Sequence, residues 1–311
     1  MLKRIPIYIC FFLILSCAHL SKAEAELRYT IIPENPRPGE PVTIAVAGGL
    51  KHAILIREER QFAKADFFTI FAENGRPGFK AAVLTIPSTA APGPAIIKLE
   101  SDFGTVYELS IRITGREFRS ETIALNPNLT GIITDSSPQR VAEGERLWAI
   151  LATTGNEVFH TGRFIPPVTS TRRTSSFGSR RIFQHSDGRS NTSIHAGVDY
   201  GVPTGTRVVA SGRGRVVLAV SRIVSGLSVI LEHAPGIYSL YYHLDSIAVQ
   251  EGAIVETGEL IGLSGSTGLS TGPHLHWEVR VATENTDPDA FVARPIIDKD
   301  LIISRLYNVY P

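Results

Sequence analysis

The chain has 311 residues, enough for about two domains, and 43% of them are hydrophobic against 20% charged. That apolar content excludes wholesale disorder. With 31 basic and 30 acidic residues there is no global field to attract nucleic acid or an anionic membrane. One apolar run stands out, at the N-terminus, so a multi-span membrane protein is excluded as well.

Residues 1–25 read as a signal peptide. Lys3 and Arg4 precede the apolar stretch Ile5–Leu15, which is short for a membrane span, and Ala23-Glu24-Ala25 or Ser21-Lys22-Ala23 offers a small-residue cleavage site. A competing reading is lipoprotein processing, because Ile14-Leu15-Ser16-Cys17 resembles a loose lipobox, with a lipid anchor at Cys17. Either way the expected address is the periplasm or cell envelope. The two cysteines, Cys10 and Cys17, both fall inside this segment. The mature chain is therefore expected to lack disulfides, and a metal site in it has to use His and carboxylate.

Residues 26–115 carry seven β-prone runs: Leu27–Ile32, Val42–Ala47, Ala53–Arg57, Phe67–Phe71, Ala81–Ile86, Ala95–Leu99 and Val106–Ile113. In the last, Tyr107, Leu109, Ile111 and Ile113 alternate with polar residues, the period-two pattern of a half-buried strand. Turns such as Asn35-Pro36-Arg37-Pro38-Gly39 separate the runs. Seven short strands in this rhythm predict an immunoglobulin-like β-sandwich without a disulfide. Its role is left between spacer, binder and lid.

Residues 116–163 read as a connector with one helix. Ser137-Pro138 is a helix start, and Val141, Leu147, Trp148 and Leu151 fall on one face, which predicts a packing stripe. Residues 164–295 return to strands, at Arg207–Ala210, Arg215–Val220, Leu227–Glu232, Ser239–His243, Leu260–Leu263 and His274–Val281. The fold class expected is mainly β, with residues 296–311 a C-terminal tail.

The chemistry concentrates in this second half. In His195-Ala196-Gly197-Val198-Asp199 the His and Asp would share a strand face, as would His274 and His276 two residues apart, and His243 ends a strand-like run. Imidazole and carboxylate suit Zn²⁺, although such spacings also arise by chance.

The frame around these residues resembles the lysostaphin/LytM-like zinc endopeptidases of bacterial cell walls. The resemblance runs over about residues 164–292, through Ser176-Phe177-Gly178-Ser179-Arg180, His195-Ala196-Gly197-Val198-Asp199-Tyr200, Pro203-Thr204-Gly205-Thr206 and Tyr241-Tyr242-His243-Leu244. It ends in Gly262-Leu263-Ser264-Gly265-Ser266-Thr267-Gly268 and Ser270-Thr271-Gly272-Pro273-His274-Leu275-His276-Trp277-Glu278. It implies that His195, Asp199 and His276 bind one Zn²⁺ per chain. His243 and His274 would be non-ligand catalytic histidines beside a zinc-activated water, with His274 favoured as base and His243 as transition-state stabiliser.

The implied substrate is the peptide part of peptidoglycan. A tyrosine that some members carry before the first ligand has no counterpart here, where Arg189 stands. Glu278 reads by default as solvent-facing, Arg180 and Arg181 as a charged strand edge, and His52, His160, His185 and His233 as surface residues. Two other classes stay in view: a catalytically silent wall-binding module or activator of another hydrolase, and a purely structural envelope protein. A final expectation is latency, with a linker around Phe164-Ile165-Pro166-Pro167 letting the N-terminal half cover the groove.

Overall fold

The computed structural model describes residues 27–73 and 75–308. The expected signal peptide and Cys17 lie outside the described residues.

The N-terminal part consists of β1 (Tyr29–Ile32), β2 (Pro41–Val46), β3 (Leu50–Arg57), β4 (Arg60–Asp66), β5 (Phe68–Ile70), β6 (Phe79–Thr85), β7 (Gly93–Ser101) and β8 (Val106–Ile113). They form two four-stranded antiparallel sheets, in the orders β1-β2-β6-β5 and β4-β3-β7-β8. Val42, Ile44 and Val46 of one sheet share an apolar cluster with Leu55, Ile97 and Ile111 of the other. In β8 the alternation holds: Leu109, Ile111 and Ile113 are buried and the residues between them exposed. The sequence predicts seven strands here, and the structure adds β4. Its run Arg-Gln-Phe-Ala-Lys-Ala-Asp is too polar to signal a strand alone and is held by pairing with β3.

The connector is more than a strut. It holds a strand, β9 (Ser120–Ala124), and two helices, α1 (Pro127–Thr134) and α2 (Pro138–Ala152), where one helix is expected. Asn126 and Ser137 cap the helices, accepting from the Leu129 and Arg140 amides. Leu151 buries itself against Leu218, Ile230 and Tyr238. Val141 and Trp148, expected to pack with it, are instead 54% and 56% exposed.

The second half contributes β10 (Arg173–Ser175), β11 (Arg180–Gln184), β12 (Ser190–Ile194), β13 (Gly197–Tyr200), β14 (Arg207–Val209), β15 (Gly214–Arg222) and β16 (Gly226–Ala234). It continues with β17 (Ile237–Ile247), β18 (Ile254–Val255), β19 (Leu260–Ser264), β20 (Leu275–Val281) and β21 (Glu284–Thr286). Ten of these make one antiparallel sheet with the central order β13-β20-β17-β16-β15. β11 and β12 form a hairpin, to which β9 adds itself in parallel. The region expected to be all-β ends in a short helix, α3 (Pro288–Ala293), and the expected tail holds α4 (Lys299–Tyr307), whose Ile302 and Leu306 are buried.

The two halves share one core. Phe68, Phe79 and Val83 of the N-terminal sheets pack in the same cluster as Phe164, Trp277, Phe291 and Ile302. Phe164 is 2% exposed, and its amide donates to the Phe291 carbonyl while that of Ile165 donates to Ser211. The segment around residues 164–167 is thus anchored in the core rather than a hinge.

Candidate metal centre

The five positions singled out by the motifs converge in one groove, of about 500 Å³, lined on its other side by Ile123, Leu125, Leu129 and Leu147 of the connector. Their placement follows from strand pairing. β13 and β20 pair antiparallel with Asp199 opposite His276, and β17 pairs with β20 on its other edge, bringing Tyr242 opposite His276 and His243 beside it. His195 lies in the two-residue link between β12 and β13 rather than on a strand, held by backbone bonds to Ser179 and Gly178, and reaches Asp199 from there. His243 sits in β17 with φ +60, at an irregularity in the pairing with β16. That turn of the backbone brings its Nδ1 to 2.7 Å from the Thr267 carbonyl.

Three donor atoms meet at the centre. His195 Nε2 lies 3.1 Å from Asp199 Oδ1, His276 Nδ1 lies 2.7 Å from the same oxygen, and the two nitrogens are 3.0 Å apart. All three residues are buried. Their outward-facing atoms are already engaged. The His195 Nδ1–H is shared between the Ser176 carbonyl at 2.8 Å and the Ser175 hydroxyl at 3.1 Å. His276 Nε2–H donates to Glu278 Oε1 at 2.9 Å, and Asp199 Oδ2 accepts from Arg181 Nη2 at 2.7 Å. These bonds aim both imidazoles and one carboxylate oxygen inward, the arrangement that orients metal ligands.

The donor set, two imidazole nitrogens and one carboxylate oxygen without sulfur, suits a divalent ion such as zinc. Bonds of about 2.0–2.1 Å at tetrahedral angles would set the donors about 3.3 Å apart, so a spread of a few tenths of an ångström accommodates the ion.

The two carboxylates set the charge of the cluster, and an ion bound there displaces the proton they draw onto His276. Burial alone would raise the pKa of Asp199, but hydrogen bonds from His195 and His276 hold it well below the usual carboxylate range. Burial would lower that of His276, but Asp199 and Glu278 overcome it and raise it to about 9. Burial lowers that of His195.

The remaining two histidines flank this cluster. Both direct Nδ1–H to a carbonyl, His243 to Thr267 and His274 to Gly272 at 2.8 Å. The ring nitrogen left to each is Nε2, and that of His274 is 3.8 Å from Asp199 Oδ1. Desolvation, helped by His274 and His276, lowers the pKa of His243 to about 3, so its ring rests neutral.

Several background residues depart from expectation. Glu278, read as solvent-facing, is 5% exposed and bridges His276 and Arg280. Arg181, read as a strand edge, is paired to Asp199 and Glu121. Arg180 reaches the Ser88 carbonyl, in the turn between β6 and β7. His233, read as a surface residue, is wholly buried, while His52, His160 and His185 are partly exposed. Arg189 is spent on its neighbour Asp187.

Comparison with known proteins adds a family. Residues 193–288 match Peptidase family M23. DD-carboxypeptidase/endopeptidase Mpg of Neisseria meningitidis serogroup B is 40% identical over 125 residues, 40% of this chain and 28% of that protein. Peptidoglycan DD-endopeptidase ShyA of Vibrio cholerae is 40% identical over 116 residues, 37% of this chain and 26% of that protein. The chain thus spans little more than a quarter of the length of these relatives. A crystal structure of a Pseudomonas aeruginosa protein provisionally assigned as an M23 peptidase superposes with a TM-score of 0.59 at 22% identity. That superposition takes in 83% of this chain and 94% of the other, a likeness of fold that extends beyond the matched segment. Residues 193–288 are a domain of Peptidase family M23.

Proposed function

We propose that the chain is an exported zinc metalloendopeptidase that hydrolyses peptide bonds in the stem peptides or cross-links of peptidoglycan. The observation that carries this reading is the buried His195–Asp199–His276 cradle with two further imidazoles, His243 and His274, on the same groove. The names of the relatives supply the substrate class, and export rests on residues 1–25 of the sequence.

His195 Nε2, Asp199 Oδ1 and His276 Nδ1 would hold the ion. Zinc bound there supplies a Lewis acid and lowers the pKa of water toward about 7. His274, whose Nε2 lies 3.8 Å from Asp199 Oδ1, takes the proton of the attacking water at Nε2 and passes it to the leaving amine. His243 rests neutral, with Nδ1–H on the Thr267 carbonyl, and takes a proton from solvent at Nε2 as negative charge develops on the scissile carbonyl, returning it to solvent when the tetrahedral adduct collapses. It therefore stabilises the transition state more than the substrate.

The test is zinc content and muropeptide release for the mature chain beside His195→Ala and His243→Ala. We expect His195→Ala to lose the metal, and His243→Ala to keep it and lose about 10²–10⁴-fold in rate. A wild-type protein that binds zinc yet releases nothing from walls of several cross-link chemistries overturns the enzyme reading in favour of a wall-binding module.

A further inference from the structure

The metal cradle is braced from outside the matched domain. β9, in the connector, pairs in parallel with β11 so that Glu121 stands beside Arg181. Glu121 Oε1 accepts from Arg181 Nε at 2.6 Å and from Ser175 Oγ at 2.7 Å. Each of those partners touches a different candidate ligand. Arg181 Nη2 donates to Asp199 Oδ2 at 2.7 Å, and the Ser175 hydroxyl lies 3.1 Å from His195 Nδ1. One carboxylate, 74 residues before His195 in the chain, therefore holds the groups that aim two of the three donors.

Its charge matters as much as its position. Arg181 is only 15% exposed in its side chain, and without Glu121 the full charge of its guanidinium would bear on Asp199. It would then compete with a dication for the one anionic ligand and repel that ion across the carboxylate. Bonded to Glu121, the guanidinium is neutralised from behind. It keeps Asp199 Oδ2 occupied and leaves Oδ1 turned to the histidines.

We propose that Glu121 is a positioning residue of the metal centre, so that the connector strand is part of the site and not merely its neighbour. This rests on the reading of His195, Asp199 and His276 as metal ligands.

The experiment is zinc affinity of the full chain, by competition with a chromophoric chelator, for wild type, Glu121→Ala, Glu121→Gln, Arg181→Ala and the double variant Glu121→Ala/Arg181→Ala. Glu251→Ala, which breaks an ion pair to Arg146 remote from the cradle, serves as control. We expect Glu121→Ala to bind zinc about 10–100-fold more weakly and Glu251→Ala to bind as wild type does. Because Glu121 acts largely through Arg181, the double variant should bind about as Arg181→Ala does, a non-additivity that a loss of fold stability alone would not produce.

Thermal unfolding of the metal-free proteins checks folding. Should Glu121→Ala not fold, the isosteric Glu121→Gln decides, with weaker binding expected because it lacks the charge. Wild-type affinity in a folded Glu121 variant, or additive losses in the double variant, overturns this inference and leaves the metal-centre reading standing. A wild-type chain that holds no zinc overturns the metal-centre reading itself, and this inference with it.

Discussion

Asp199 and His276 face each other across two antiparallel strands, paired in register, with Asp199 Oδ1 2.7 Å from His276 Nδ1. The register of β13 against β20 therefore sets the geometry of the centre, and Gly197 sets how closely those strands approach. A Cβ at Gly197 would lie 2.1 Å from the Trp277 carbonyl oxygen and 2.8 Å from its carbon, both backbone atoms that cannot swing aside.

Gly197→Ala is accordingly expected to force β13 away from β20 and to draw Asp199 off His276. Overpacking of this kind costs about 1–3 kcal/mol. Urea unfolding should register that loss, and a zinc titration should show weaker binding in the protein that remains folded. Wild-type zinc affinity in Gly197→Ala would mean that strand separation does not govern the cradle.

Glu278 is tied to the same register, one strand-repeat beyond His276, and is buried beside the partly exposed Arg280. In Glu278→Ala, His276 loses the acceptor that orients its ring, which should weaken zinc binding about 10–100-fold. The variant also leaves Arg280, 13% exposed in its side chain, without its carboxylate, so unfolding free energy should fall by about 1–3 kcal/mol. Glu278→Gln keeps an acceptor for His276 and should recover part of the zinc affinity but less of the stability. Equal zinc affinity in all three proteins would show that the His276 ring is held by other contacts.

What could be read from the sequence divides along physical lines. The groove histidines and Asp199 stand in short local motifs whose spacing survives folding, so their convergence was legible, even though His195 reaches the cradle from the link before β13 rather than from the strand expected. The shared face of His276 and Glu278 was legible too, but not the burial of Glu278, which depends on Arg280 and on the strands either side. Glu121 and Arg181 left no local signal. They meet through a parallel pairing across 60 residues, and Ser-Glu-Thr-Ile-Ala in the connector looks like loop. Val141 and Trp148 failed in the other direction: helical spacing placed them on one face, and only tertiary packing shows that Leu151 alone is buried.

The shared core makes a prediction for the isolated C-terminal part. Residues 164–311 alone would expose the surfaces that pack on Phe68, Phe79 and Val83, and would strip Leu125 and Leu129 from Phe183. They would also lose Arg116 from Asp287 and the β9 edge from β11. Each large apolar side chain is worth about 1.5–3 kcal/mol when buried, and 1 kcal/mol is about 2–4 °C for a chain of this size. The fragment should melt more than about 10 °C below the full chain or aggregate, and it should bind a hydrophobic dye. A fragment that melts cooperatively at the full-chain temperature would restore the picture of a detachable lid over a self-sufficient peptidase domain.

His233 provides a pH-dependent element of stability away from the metal site. Its ring is wholly buried, with Nδ1–H donating to the Arg213 carbonyl at 2.9 Å, Nε2 2.7 Å from the Ser239 hydroxyl, and the Phe164 ring 4.6 Å away. Burial pushes its pKa down to about 3, with a smaller contribution from His160. The unfolded chain binds this proton near pH 6.5 and the folded chain does not. The stability is therefore fully present above about pH 6.5 and is lost progressively as pH falls toward 3, at about 1.4 kcal/mol per pH unit. Between pH 6.5 and 5, above the main carboxylate range, this single group removes about 2 kcal/mol. Urea unfolding of metal-free wild type and His233→Gln over that window isolates it, since the other buried histidines are common to both. The variant should be less stable at pH 7.5 but lose stability with a slope shallower by about one proton. Parallel slopes would show that His233 takes up its proton without unfolding the core around Phe164.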